Sequence, residues 1–174
     1  MARGEPIDYI FNAKIVTANN ELRKSIVEET KKLIGLPGVN HDHAHDESGC
    51  SLETGFDCSG LALYVLAQVH IFVPDTIRHC SEFFDHFGVF VHYGLHQDGD
   101  LVFFARSGDA PTHMGIMIDD MRYVHSPGKK GSKVKVATLQ RKPLPVTSPK
   151  QLYLENPIGF KRPVINLGRW NEPI

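Results

Sequence analysis

Gly55-Phe56-Asp57-Cys58-Ser59-Gly60 runs straight into Leu61-Ala62-Leu63-Tyr64-Val65-Leu66-Ala67. The second stretch is apolar nearly all round, which predicts a core helix from Ser59 to about Val69. Cys58 then stands at the start of a buried helix. A cysteine there faces unpaired N–H groups and the positive end of the helix dipole, and both favour thiolate over thiol. The same N–H groups can hold a developing oxyanion. Ser59 and Gly60 are small, so a carbonyl group could approach closely. A buried cysteine acting only as a small hydrophobe fits the hexapeptide equally well.

A thiolate nucleophile needs a base that takes and returns a proton. Downstream lie His113-Met114-Gly115-Ile116-Met117-Ile118, Asp119-Asp120 and Met121-Arg122-Tyr123-Val124-His125, the pattern of a hairpin. With His113 directly opposite His125, Gly115 opposes Tyr123 and Met117 opposes Met121, and all share one face. Such a face presents His113 to the cysteine with His125 behind it, and Gly115 leaves room for the helix. A two-residue Asp119-Asp120 turn would instead put the histidines on opposite faces, so the register is a test. Either histidine alone reads as a surface or hydrogen-bonded core residue. Nucleophile, base and orienter on separate elements have the logic of a generalised triad.

Around this centre the chain reads as helices first and strands later. Asn19 or Asn20 caps a helix whose Leu22, Ile26, Val27, Leu33 and Ile34 share a face, and Gly35 with Pro37 ends it. Residues 1–19 are an irregular lead-in with one short strand, Ile7 to Ile15. Residues 36–56 form a polar loop. Leu101 to Ala105, Met114 to Ile118, Arg122 to Ser126, Val134 to Thr138 and Gly159 to Val164 read as short strands. The expected class is α+β, an antiparallel sheet packed against N-terminal helices, with residues 20–174 as one domain.

Composition narrows the function. The 174 residues suit one globular domain, and a formal net charge of −1 without a basic block excludes a nucleic-acid footprint. No apolar run is long enough to span a membrane. Met1-Ala2-Arg3-Gly4-Glu5-Pro6 has no apolar signal core, which leaves a cytoplasmic protein, one exported by another route, or one whose leader is not part of this sequence. Cys50, Cys58 and Cys80 make no disulfide scaffold. A Cys50–Cys80 bridge stays open beside the plainer reading of two ordinary thiols. His41, His43 and His45 with Asp42, Asp46 and Glu47 offer metal-ligand chemistry, yet read more simply as a solvated loop. No metal or cofactor is expected. Phe83, Phe84, Phe87 and Phe90 read as core or cleft wall, and Gly99-Asp100 as a structural turn into a buried strand.

Asp57-Cys58-Ser59-Gly60 with its helix, Gly99-Asp100-Leu101-Val102-Phe103-Phe104, His113-Met114-Gly115-Ile116 and Tyr123-Val124-His125 resemble, in order, the NlpC/p60 family of cell-wall cysteine peptidases. The helix at 20–34 and Gly159-Phe160-Lys161-Arg162 extend the resemblance over roughly residues 20–164. It implies a papain-like fold and a triad of Cys58, His113 and His125. It implies cleavage of peptidoglycan stem peptides, often between γ-D-glutamate and the diamino acid, at the cell envelope. It also implies that Asp57 and Ser59 bind the substrate's free amino end. Two segments depart from the family pattern: the longer His/Asp-rich loop before the nucleophile, and Val73-Pro74-Asp75-Thr76-Ile77-Arg78-His79-Cys80-Ser81 in place of the usual Leu-Pro-Arg-Thr-Ser. Alternatives kept are an amidase or acyltransferase on a non-wall substrate, a non-catalytic wall-peptide or metal-binding module, and a delivered wall-degrading toxin, which would have a cognate inhibitor protein.

Overall fold

A computed structural model describes residues 15–39, 50–106, 110–129, 131–140 and 156–166. Its first elements are strand β1 (Ile15–Thr17) and helix α1 (Asn20–Lys32). The α1 cap is Asn19, whose side-chain oxygen accepts from the Leu22 N–H at 2.9 Å. Glu21 in the first turn and Lys31 and Lys32 in the last complement the dipole. Ile26 and Val27 are buried in the core, as is Leu33 just beyond the helix. Ile34, expected on the same face, is exposed, because α1 has already ended and Gly35 turns the chain at φ +93°.

Helix α2 (Cys58–Gln68) is the predicted core helix, starting one residue earlier than expected. A third helix, α3 (Cys80–His86), escaped the sequence reading because seven residues are too few to show a period. Glu82 fixes its start by accepting from the N–H groups of Arg78 (2.6 Å) and His79 (2.8 Å). Phe83 and Phe87 then enter the core edge to face, with ring centroids 5.4 Å apart.

The remaining strands are β2 (Val89–Val91), β3 (Leu101–Phe104), β4 (His113–Met117), β5 (Arg122–His125), β6 (Lys135–Thr138), β7 (Gly159–Arg162) and β8 (Val164–Asn166). Six form one antiparallel sheet in the order β2-β7-β3-β4-β5-β6, while β1 pairs with β8. Pro163 splits the single strand expected at Gly159 to Val164, since it has no N–H to continue a ladder. The expected strand at Ile7 to Ile15 lies, apart from Ile15, outside the described residues.

Alternation along the strands gives the sheet two buried faces. Leu101, Phe103, Met114, Ile116 and Val124 pack against Ile26, Leu61, Val65 and Leu66 of α1 and α2. Val102, Phe104, Met117, Tyr123 and Phe160 form a second cluster on the opposite face. Asp100, fully buried at the start of β3, holds Arg162 of β7 through two 2.8 Å bonds and also accepts from the Gln97 N–H. Gly99 makes the turn before it at φ +81°.

Candidate active site

The N-cap of α2 is Asp57. Its Oδ1 accepts from the Gly60 N–H at 2.6 Å, from Ser59 Oγ at 3.5 Å and from Cys50 Sγ at 3.8 Å. Asp57 and Ser59 are each only 1% exposed. The small size of Gly60 serves packing: a Cβ there would collide with the Cys50 side chain. Ahead of the cap, Gly55 at φ +98° lies against the Pro37 carbonyl, and Phe56 bonds to Pro37 and Val39. This clamp sets the direction in which the chain enters α2.

Cys58 is the first residue of α2, and α2 packs on β4. Its sulfur accepts from the Met114 N–H, the residue after His113, and shares a hydrogen bond with the Cys80 thiol. The expected thiolate is not the favoured form. The bond to Cys80 raises the Cys58 pKa well above its ordinary value, and burial and the Asp57 charge push the same way. The Met114 N–H acts in the opposite direction and is outweighed. Cys58 does start the helix, but burial and the like charge of the capping carboxylate oppose its ionisation there.

His113 and His125 are joined, Nε2 to Nδ1, at 2.7 Å, with rings nearly perpendicular. The register is not the one expected. Ile116 pairs with Val124 and Met117 with Tyr123, which carries Gly115, not His113, opposite His125. A shift of two residues preserves the face, so the histidines remain on one side, but it is the side of Phe104, Met117 and Tyr123, the sheet face opposite the one on which the body of α2 packs, and not a face turned to the helix as expected. Gly115 makes room for its own hairpin partner, not for the helix. A Cβ there would lie 2.7 Å from Tyr123 Cδ2 and from the Val124 carbonyl oxygen, and 3.3 Å from His125 Cβ.

Both rings are buried, and both are held neutral. Burial lowers His113 to about 3, helped by the charges of His125 and Arg106. Burial, with Lys135, lowers His125 to about 4. Two neutral imidazoles sharing one hydrogen bond carry one proton between the bonded nitrogens. His125 Nε2 is buried and has no hydrogen-bond partner among the described residues.

The structure therefore brings Asp57, Cys58 and Ser59 together on one helix start and joins His113 to His125 on the hairpin that Cys58 abuts. The neighbour the sequence reading missed is Cys80, which lies in the segment that departs from the family pattern. None of the three cysteines is in a disulfide, so the possible Cys50–Cys80 bridge is not formed. Among the described residues, no group of three or more His, Cys, Asp or Glu side chains could hold a metal ion. The loop from His41 to Glu47 lies outside them. No helix among the described residues is long and apolar enough to cross a membrane.

The sequence profile described as the NlpC/P60 family matches residues 46–146. Gamma-DL-glutamyl hydrolase of Bacillus subtilis (strain 168) is 31% identical over 109 residues, covering 61% of this chain and 24% of the relative. Murein DD-endopeptidase MepH of Escherichia coli (strain K12) is 31% identical over 93 residues, covering 52% of this chain and 33% of the relative. The chain thus spans about a quarter to a third of the length of these curated relatives. Among solved structures, the NlpC/p60 domain of the peptidoglycan hydrolase SagA superposes with a TM-score of 0.53 at 30% identity, covering 67% of this chain and 88% of that one. With a family profile matched across more than half its length and a fold shared with solved members, the chain belongs to the NlpC/P60 family.

Proposed function

We propose that this protein is a cysteine hydrolase of peptidoglycan stem peptides, cutting the amide bond between γ-D-glutamate and the diamino acid through a thioester acyl-enzyme. Residues 20–174 are its catalytic unit. One observation carries the assignment: the 2.7 Å imidazole pair begins at the residue just before the N–H that touches the Cys58 sulfur. The names of the relatives, a γ-glutamyl hydrolase and a murein endopeptidase, support the substrate class.

The chemistry starts from a neutral thiol and a neutral imidazole. For His113 to act as base through Nδ1, its proton must sit on Nε2 and be donated to His125 Nδ1. His125 then carries its own proton on Nε2 and serves as orienter. As Cys58 Sγ attacks the amide carbonyl, its proton passes to His113, and the N–H of Cys58 helps hold the oxyanion. The C–N bond breaks and His113 returns the proton to the departing amine. Water then attacks the thioester, giving a proton to His113, and the thiol leaves protonated. Asp57 and Ser59 bind the free L-alanyl amino end of the substrate, which favours released stem peptides over glycan-linked wall.

The test is mass spectrometry of muropeptides digested by the wild-type protein and by Cys58→Ala. Products ending in γ-D-glutamate should form only with the wild type. Cleavage by the variant, or products cut elsewhere, would refute the assignment.

A further inference from the structure

We propose that Cys58 and Cys80 form an oxidative modification site, closed to a disulfide by a peroxide and reopened by a small thiol. The claim that closure stops turnover rests on Cys58 being the nucleophile; the claim that the pair closes does not.

The two cysteines are the first residues of α2 and α3, and both are buried in the same core cluster. Their thiols share a hydrogen bond. The Cys80 thiol also contacts the Pro111 carbonyl at 3.4 Å, which ties it to the chain leading into β4. Each cysteine is 7% exposed. That excludes bulky reagents more than it excludes hydrogen peroxide. The third thiol, Cys50, is engaged with Asp57 Oδ1 at 3.8 Å and packs on Gly60, which makes it an internal comparison.

A nucleophilic cysteine without a neighbouring thiol oxidises past sulfenic acid to irreversible forms. Here a second thiol stands ready to intercept it. Cys58 sulfur attacks one oxygen of hydrogen peroxide, the O–O bond breaks, and Cys58 sulfenic acid and water result. Cys80 sulfur then attacks the sulfenic sulfur, its proton goes to the departing hydroxide, and a disulfide and a second water form. Two thiols are oxidised and one peroxide is reduced. A small thiol reverses the bond by exchange through a mixed disulfide. In the closed form the attacking sulfur is bonded to its neighbour and cannot attack a carbonyl.

The experiment treats the whole protein with hydrogen peroxide at alkaline pH, where more of each thiol is ionised, and maps peptides with and without dithiothreitol. The expected result is a mass lower by two hydrogens and one linked peptide containing Cys58 and Cys80. Stem-peptide cleavage should fall by about tenfold or more and return on reduction. In Cys80→Ser, or in Cys80→Ala if serine disturbs the Pro111 contact, Cys58 should instead gain two or three oxygens and reduction should restore nothing. A wild-type protein in which Cys58 is over-oxidised while Cys80 stays reduced, or in which Cys58 links to Cys50, would overturn the proposal. Mapping reads the bond without reference to turnover. A linked pair in a protein that cleaves no stem peptide would therefore refute the proposed function and leave the modification site standing.

Discussion

Acidifying the protein from neutrality to about pH 5 tests whether the paired imidazoles are neutral in the folded state. Their folded pKa values are about 3 for His113 and about 4 for His125, against an ordinary 6.5. Below pH 6.5 the unfolded chain takes up protons at these rings that the folded chain does not. Stability is therefore full above 6.5 and falls with pH until the folded values are reached. At pH 5 each ring removes about 2 kcal/mol relative to neutrality, so the pair removes about 4 kcal/mol. A domain of ordinary stability, about 5–15 kcal/mol, would lose a large share of it. Urea unfolding at the two pH values measures the loss. The control is the His113→Asn, His125→Asn double variant, which keeps polar side chains but has nothing to titrate there. The wild type should lose about 4 kcal/mol more than the variant over the same interval. A difference under about 1 kcal/mol would mean that the rings accept protons while folded, and the neutral base would have to be abandoned.

Other perturbations test neighbouring parts of the fold and site. Gly115→Ala drives a methyl group against Tyr123 and the Val124 carbonyl oxygen; it should cost about 1–3 kcal/mol in thermal or chemical unfolding and lower turnover by displacing His125. Arg162→Ala strands the buried Asp100 carboxylate; a loss of about 3 kcal/mol or more is expected, whereas Asp100→Asn with Arg162→Met should lose less. His113→Ala should abolish nearly all stem-peptide cleavage. His125→Ala should lose less and His125→Asn should keep part, and a His125→Ala enzyme as fast as wild type would remove His125 from the site.

The parts of the fold that could be read from the chain are those where one physical effect dominates. Helix α2 is apolar nearly all round and buried over most of its length, so its pattern had one reading. Strands β3, β4 and β5 are short, apolar and bounded by turn residues. Helix α3 and strand β2 are too short for periodicity, and two of the three β2 residues face solvent. The hairpin register turned on a local bond the pattern did not reveal. Asp119 accepts from the N–H groups of Met121 (2.9 Å) and Arg122 (2.6 Å) and pairs with the Arg122 side chain. This closes the hairpin at Ile118 and Arg122 and displaces the pairing by two residues. The proximity of Cys80 to Cys58 follows from the packing of two helix starts, which no local sequence signal encodes.

Asp57 is where stability and the proposed reaction make opposite demands. As cap, it accepts from Gly60 and fixes the first turn of α2. As a negative charge next to Cys58, it makes the thiol harder to ionise. On the proposed function, a substrate ammonium bound at Asp57 offsets that charge, so the correct substrate eases ionisation of the thiol that attacks it. Asp57→Asn separates the two effects. Asparagine caps a helix about as well as aspartate, so the fold should be kept. Removing the charge should lower the Cys58 pKa, and iodoacetamide should label Cys58 faster at a given pH. The same variant should lose a charge-assisted hydrogen bond to the substrate, about 1.5–3 kcal/mol, and kcat/KM on L-Ala-γ-D-Glu-diamino acid should fall about tenfold or more. The N-acetylated tripeptide, which has no ammonium, should show no such fall. A thiol that reacts faster in an enzyme that works more slowly is a combination that a purely structural aspartate does not produce. If kcat/KM on the free tripeptide instead rises with the labelling rate, Asp57 holds the helix and nothing more.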